Sequence, residues 1–237
     1  GATEFPLVGL ISSSIYSVLF PEISRLMGEG RKDEVLELWK RAVEKSMLVI
    51  MPIFGVAMII SYPLITTLYT NRYEASVPIF QIYLFLIPIR TINFGLLLKA
   101  VGKTKYDFYG SILFIVITTA IAISTIDVIG IYGPTISRVV SVYILAIYLL
   151  INIKKEVGYT LSEILNIRAL LPIMLITVSP IVLSGIIRSS LNFEDITGSV
   201  IALVIYTAFI IISYIGSGKW SKLRLRETYQ MIFSRNS

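Results

Sequence analysis

Apolar residues run through this chain in long stretches, and short polar connections separate them. A helix that crosses a bilayer needs about 20 predominantly apolar residues. Seven stretches approach or reach that length: 5–20, 47–69, 77–98, 109–126, 131–153, 169–187 and 196–215. The first is short, contains Ser12, Ser13 and Ser14, and ends at Pro21-Glu22. Pro52 and Pro63 interrupt the second, Pro78 and Pro88 the third, and Pro172 and Pro180 the sixth. Proline is tolerated in membrane helices because neighbouring helices satisfy the carbonyls it frees. The pattern predicts an all-α, polytopic membrane bundle of about seven spans, forming one unit over residues 1–237.

The charges fall between the stretches. Of 21 Lys and Arg residues, 17 lie in four clusters, at 25–45, 99–105, 154–168 and 219–235. The alternate connections carry only Arg72 and Arg188. Cytoplasmic loops are the ones enriched in Lys and Arg, so the clusters are expected inside, along with the basic tail over 216–237 and its Trp220 and Tyr229. The first span then enters from outside and the last ends in the cytoplasm. Neither an initiator Met nor a basic leader precedes Phe5. Together these point to a missing N-terminal half with an odd number of spans.

Composition sharpens this picture mainly by exclusion. The chain is 55% hydrophobic and 15% charged, against about 25% charged in soluble domains. The net charge of +6 sits in the connections, where it sets topology and attracts anionic lipid heads; it is not the footprint of a nucleic-acid protein. With no Cys and no His, a zinc centre of the usual kind and a histidine base are excluded. No cofactor or metal is expected. Gly102-Lys103-Thr104 resembles the end of a phosphate-binding loop, but Leu97 stands where its first glycine belongs. No connection on the outer side has room for a catalytic domain, which argues against an enzyme such as a membrane glycosyltransferase. A non-transporting scaffold would not need arginine inside its spans.

From Arg31 to Ser46 the period changes. Val35, Leu38, Trp39, Ala42 and Val43 share one face; Glu37, Lys40, Arg41, Glu44 and Lys45 share the other. This spacing predicts an amphipathic helix over about 31–46 lying in the inner interface. The alternative is a helix packed on the other cytoplasmic loops. Residues 159–166 form a weaker second candidate.

Arg90 and Arg138 fall inside apolar runs. An ionised side chain within a span costs about 2.5–3.5 kcal/mol on the insertion scale, so it faces a cavity or a partner. Asn93 follows Arg90 by one helical turn, and Pro134 and Ser141 share a face with Arg138. A guanidinium presents a fork of donors that matches phosphate oxygens. All 15 Asp and Glu residues lie in connections or at span ends, whereas a cation or proton exchanger normally holds a buried carboxylate. Arg90, Asn93 and Arg138 are therefore the candidate substrate-binding residues, and the favoured substrate is an anion. Structural roles for the two arginines, at a helix end or snorkelling to the interface, remain the alternative.

Several segments resemble one family in order and spacing. They are Val18-Leu-Phe-Pro-Glu-Ile-Ser-Arg-Leu, the charged helix and Leu48-Val-Ile-Met-Pro-Ile, then Leu64-Ile-Thr-Thr-Leu-Tyr before Arg72-Tyr73-Glu74-Ala75-Ser76. Leu97-Leu-Lys-Ala-Val-Gly-Lys-Thr-Lys and Ile129-Gly-Ile-Tyr-Gly-Pro follow. Over residues 7–155 the chain resembles the oligosaccharide (O-antigen-type) flippases of the multidrug/oligosaccharidyl-lipid/polysaccharide exporter superfamily. The resemblance implies the C-terminal half of a fourteen-span transporter in the cell membrane. It would flip a polyprenyl-pyrophosphate-linked oligosaccharide by alternating access for surface polysaccharide synthesis. Its partners would be the lipid-linked oligosaccharide, membrane lipid and the N-terminal half. A multidrug or cation exporter of the same superfamily is the alternative. Thr70-Asn71, Pro134 and Arg138 depart from the family pattern, so Arg138 rests on its chemistry alone.

Overall fold

A computed structural model of the chain describes residues 6–190 and 196–218. The expected tail beyond 218, with Trp220 and Tyr229, lies outside the described residues, as does the Arg188 side chain. Among the described residues every regular element is helical: α1 (Pro6–Gly28), α2 (Lys32–Ile59), α3 (Ser61–Tyr69), a 3-10 turn (Asn71–Ser76), α4 (Val77–Leu84), α5 (Leu86–Arg90), α6 (Gly95–Ala100), α7 (Lys105–Ile129), α8 (Tyr132–Glu156), α9 (Leu161–Leu165), α10 (Ile167–Ser190) and α11 (Ile196–Gly216). Six ranges are long and apolar enough to cross a membrane: 32–59, 71–100, 105–129, 132–156, 167–186 and 197–216. The serine-rich α1 packs beside them and is not one of the six.

The central helix is α2, which touches α1, the third span, α9, α10 and α11. It holds 28 residues, about 42 Å at 1.5 Å per residue, against a hydrocarbon layer of about 30 Å. The surplus is its amphipathic first part. The expected interfacial helix is therefore no separate element but the projecting end of α2, continuous with the second span. Its apolar face meets protein. Val35 and Trp39 are fully buried. Trp39 Nε1 donates to the Ile164 carbonyl of α9 at 3.2 Å, Lys32 Nζ donates to the Val157 carbonyl at 3.0 Å, and the Tyr159 hydroxyl donates to the Lys32 carbonyl at 2.7 Å. The α8–α10 connection fills the place that lipid headgroups would otherwise take. Burial raises the Tyr159 hydroxyl to about 12, helped by Asp33 and Glu163. α9 begins with a capping box in which Thr160 and Glu163 satisfy each other's end groups; that contact holds the Glu163 carboxyl below its ordinary value.

Proline sets the interruptions, and tyrosine closes several of them. Pro63 has no N–H for the Ile59 carbonyl, and α2 stops at Ile59. Ser61 Oγ then donates to the Met58 carbonyl at 2.8 Å, and Gln81 Nε2 of α4 donates to Ser61 Oγ at 2.7 Å. Pro52 likewise leaves the Leu48 carbonyl without its helical donor. The Tyr214 hydroxyl of α11 donates to that carbonyl at 3.1 Å, and the Tyr206 hydroxyl reaches the Pro52 carbonyl at 3.4 Å. Tyr206 pairs with residue 52 and Tyr214 with residue 48, so α11 runs antiparallel to α2.

These contacts bring three basic connections to one end of the bundle. Lys32 bonds the α8–α10 connection, and Lys103 of the α6–α7 turn pairs with Glu156 at 3.1 Å. α11 also finishes toward that end. α7 is the outermost span, packed mainly on α8, and it turns Ile112, Ile115, Val116 and Ile123 outward.

Candidate functional site

The third span is broken where the sequence places its buried arginine. Pro88 cannot donate to the Leu84 carbonyl and its ring opposes it; α4 accordingly ends at Leu84. The short α5 follows and ends at Arg90. Over 91–94 the helical ladder gives way to tighter bonds: Ile92 N–H donates to the Ile89 carbonyl at 3.3 Å, Phe94 N–H to Ile92 at 3.1 Å, and Leu96 N–H to Asn93 at 3.1 Å. Irregular backbone at membrane depth survives only where protein buries it or where it lines a cavity. Protein buries most of the segment here. Thr91, Ile92 and Phe94 are buried, while Arg90 and Asn93 are exposed. Thr91 Oγ1 bonds the Ile87 carbonyl at 2.7 Å, and the buried Tyr16 hydroxyl of α1 donates to the Thr91 carbonyl at 2.8 Å.

Arg90 and Asn93 were expected to share the face of one continuous helix. They are instead turned outward by a break between two short helices. Discontinuous spans of this kind form substrate sites in many transporters.

On α1, Ser13, Ser14 and Ser17 are exposed, as are Val18 and Phe20. Ser17 Oγ bonds the Ser14 carbonyl at 3.0 Å. The serines add exposed hydroxyls to the helix whose Tyr16 meets the break. The three serines are absent from the candidates drawn from sequence. Their signal was the shortness of the first stretch: a span whose middle is Ser12-Ser13-Ser14 is a poor lipid-facing helix.

The break also has a level. The Tyr16 and Trp39 rings are 5.9 Å apart, so Thr91 lies near the end of the bundle that carries the basic connections. Arg90 is nine residues from Lys99 at that end, about 14 Å at helical rise.

Arg138 sits elsewhere. It is half-buried on α8. Its buried polar neighbours bond their own helix: Ser137 Oγ to the Pro134 carbonyl at 2.8 Å and Ser141 Oγ to the Ser137 carbonyl at 2.7 Å. The Tyr143 hydroxyl of α8 donates to the Phe85 carbonyl at 2.9 Å, which sets the register between α8 and the third span. Both run toward the basic end, so Arg138 and Arg90 stand about 15 Å apart in height. They do not form one cluster. Acids gather at the basic end: Asp107 pairs with Lys99 at 2.9 Å, and Glu156 with Lys103 and the Tyr106 hydroxyl. Among the described residues no group of acids could hold a metal ion.

The family described as Lipid II flippase MurJ matches residues 3–213. The match extends past residue 155, where the resemblance read from the sequence stopped. No curated protein and no solved structure matches the chain. The match supports a flippase for a lipid-linked substrate, the coarser class to which the O-antigen-type expectation belongs. The chain is a multi-pass membrane protein that belongs to the lipid II flippase MurJ family, a family of transporters and not of enzymes.

Proposed function

We propose that this chain forms the second bundle of a flippase that carries a polyprenyl-pyrophosphate-linked saccharide from the inner to the outer leaflet by alternating access. Lipid II is the first substrate to test and an O-antigen-type oligosaccharide the second. The observation that carries the reading is Arg90, exposed at the break of a membrane-spanning segment. A guanidinium fork there meets the phosphate oxygens, Asn93 and the α1 hydroxyls meet sugar or phosphate, and the polyprenyl tail stays in lipid. The basic connections are assigned to the cytoplasm by the positive-inside rule. Arg90 then lies toward the cytoplasmic mouth, where the substrate head begins its passage. The first bundle is supplied by an N-terminal half, and the C-terminal tail is cytoplasmic. Arg138, nearer the outer end, is a second contact on the exit side.

The test is flipping of lipid II by the complete transporter in proteoliposomes. Arg90→Ala removes a charge-assisted contact worth about 1.5–3 kcal/mol, so transport falls by roughly 10- to 100-fold. Arg90→Lys keeps charge without the fork and recovers part of the loss. Wild-type transport by both variants at matched expression removes Arg90 from the mechanism. The competing reading, a drug or cation exporter of the same superfamily, requires a buried carboxylate in the cavity; Asp107 and Glu156 sit at the basic end in ion pairs, and Glu74 and Asp127 are exposed.

A further inference from the structure

We propose that Tyr16 and Tyr143 are positioning residues for Arg90: from two different neighbouring helices, their hydroxyls hold the two joints between which the short helix α5 carries that arginine. The proposal rests on the reading of Arg90 given above.

The geometry has three parts. First, α5 is an insert of five residues too short to fix its own direction. A single helical turn is held by tertiary contacts, not by propensity. Second, each end of α5 meets a phenol. At Phe85, where α4 stops, the Tyr143 hydroxyl of α8 donates to the carbonyl at 2.9 Å. At Thr91, directly after Arg90, the Tyr16 hydroxyl of α1 donates to the carbonyl at 2.8 Å. The two donors come from two different helices, one at each joint, so neither end of α5 is left unheld. Third, the Tyr16 anchor is itself held. Tyr16 is 3% exposed, and its ring lies 5.9 Å from that of Trp39, which bonds α9. One continuous line of contacts therefore joins the clasp at the basic end, through Trp39 and Tyr16, to the residue beside Arg90.

Chemistry explains the use of tyrosine. A backbone carbonyl at a break needs a donor, and a phenol supplies one on a rigid ring that is otherwise apolar. Removing that hydroxyl leaves packing almost unchanged and releases the joint. Phenylalanine is thus the informative substitution.

The experiment uses the complete transporter in proteoliposomes with lipid II as substrate. This chain contains no cysteine, so Ile92→Cys introduces a thiol inside the break at a site that is 6% exposed. Tyr16→Phe should raise the rate at which a membrane-impermeant maleimide modifies that thiol by several-fold, as the freed joint opens. Tyr143→Phe should do the same to a smaller extent, because its joint lies farther from residue 92. In transport, Tyr16→Phe should cost about 5- to 10-fold when Arg90 is present and nothing further in an Arg90→Ala background, because a positioning residue acts through the group it positions. An equal loss in both backgrounds would mean a general structural role and would overturn the proposal; so would unchanged labelling. If Arg90→Ala itself transports normally, the reading of Arg90 fails, and labelling alone then decides whether the two phenols hold the joints.

Discussion

Gly55 lies in the last two turns of α2, and the structure leaves no room for a side chain there. A Cβ built on Gly55 would stand 1.8 Å from the Tyr206 hydroxyl oxygen, 2.2 Å from Cζ and 2.7 Å from Cε2. Tyr206 is 1% exposed, so its ring has nowhere to retreat without disturbing α11. For Gly55→Ala, overpacking of a tight core costs about 1–3 kcal/mol. Displacing the ring also gives up the Tyr206 contact with the Pro52 carbonyl, about 0.6 kcal/mol for an average membrane hydrogen bond. Against this stands the gain of replacing glycine in a helix interior, about 0.5–1 kcal/mol. The collision wins, and the net loss is about 1–3 kcal/mol. Denaturant unfolding of the purified protein in detergent would read it. The decisive control is Tyr206→Leu, which removes the three colliding ring atoms. In that background the helix term stands alone, and Gly55→Ala should become neutral or mildly stabilising. A neutral Gly55→Ala in the native background would refute the packing described between α2 and α11, as would an equal cost in both backgrounds.

Three further outcomes are expected. Tyr214→Phe leaves the Leu48 carbonyl without its donor and should cost about 0.6–1.5 kcal/mol in the same assay; in a Pro52→Ala background, where the helix regains its own N–H, the cost should shrink. Glu163 is held below its ordinary 4.5 by Thr160, so its contribution to the α9 clasp is complete above that value and disappears as pH falls through the lower folded-state value. Trp39 fluorescence, read in a Trp220→Phe background, should shift over that acid range, and Glu163→Gln should abolish the pH dependence. An impermeant thiol reagent should reach Arg72→Cys from outside the cell and Thr104→Cys only after the membrane is opened; the same sidedness for both would end the assignment of the basic connections to the cytoplasm.

Much of the fold was legible because lipid imposes a length, and the apolar stretches at 109–126, 131–153 and 196–215 fall on α7, α8 with its N-cap Ile131, and α11. The limits of that reading have physical causes. The face of Val35, Trp39 and Val43 was correctly apolar, yet periodicity reports only that a face is covered, not by what; the cover is α9, more than a hundred residues later. Pro88 marked a bend in the third span, but the larger break follows Arg90, at Thr91–Phe94, with neither glycine nor proline in it. It persists because Tyr16 from α1 meets it, a contact between residues 75 apart in sequence that no local pattern carries. Arg90 and Asn93 could be singled out as candidates from sequence, Arg90 because charge in an apolar run is costly wherever it falls and Asn93 because it follows one turn later. Their relation could not, because it depends on helix geometry ending between them.

The magnitudes bear on how such a site moves. α2 and α11 are joined at two levels by phenol–carbonyl bonds, and α2 and α9 through Trp39 and the turn at Lys32. Shifting these helices against one another would unpack the most buried side chains of the chain, among them Trp39, Leu48, Met51 and Tyr206, at several kcal/mol for each large one exposed. Reorienting α5 requires much less. Its two anchoring hydrogen bonds together amount to about 1–2 kcal/mol at membrane averages, while a single charge-assisted contact between Arg90 and a phosphate returns about 1.5–3 kcal/mol. On the proposed reading, losing one of these anchors therefore misplaces the arginine-bearing segment without loosening the bundle that carries it. That ordering of energies makes the third span, rather than the α2 core, the element whose geometry a single lost hydroxyl would change.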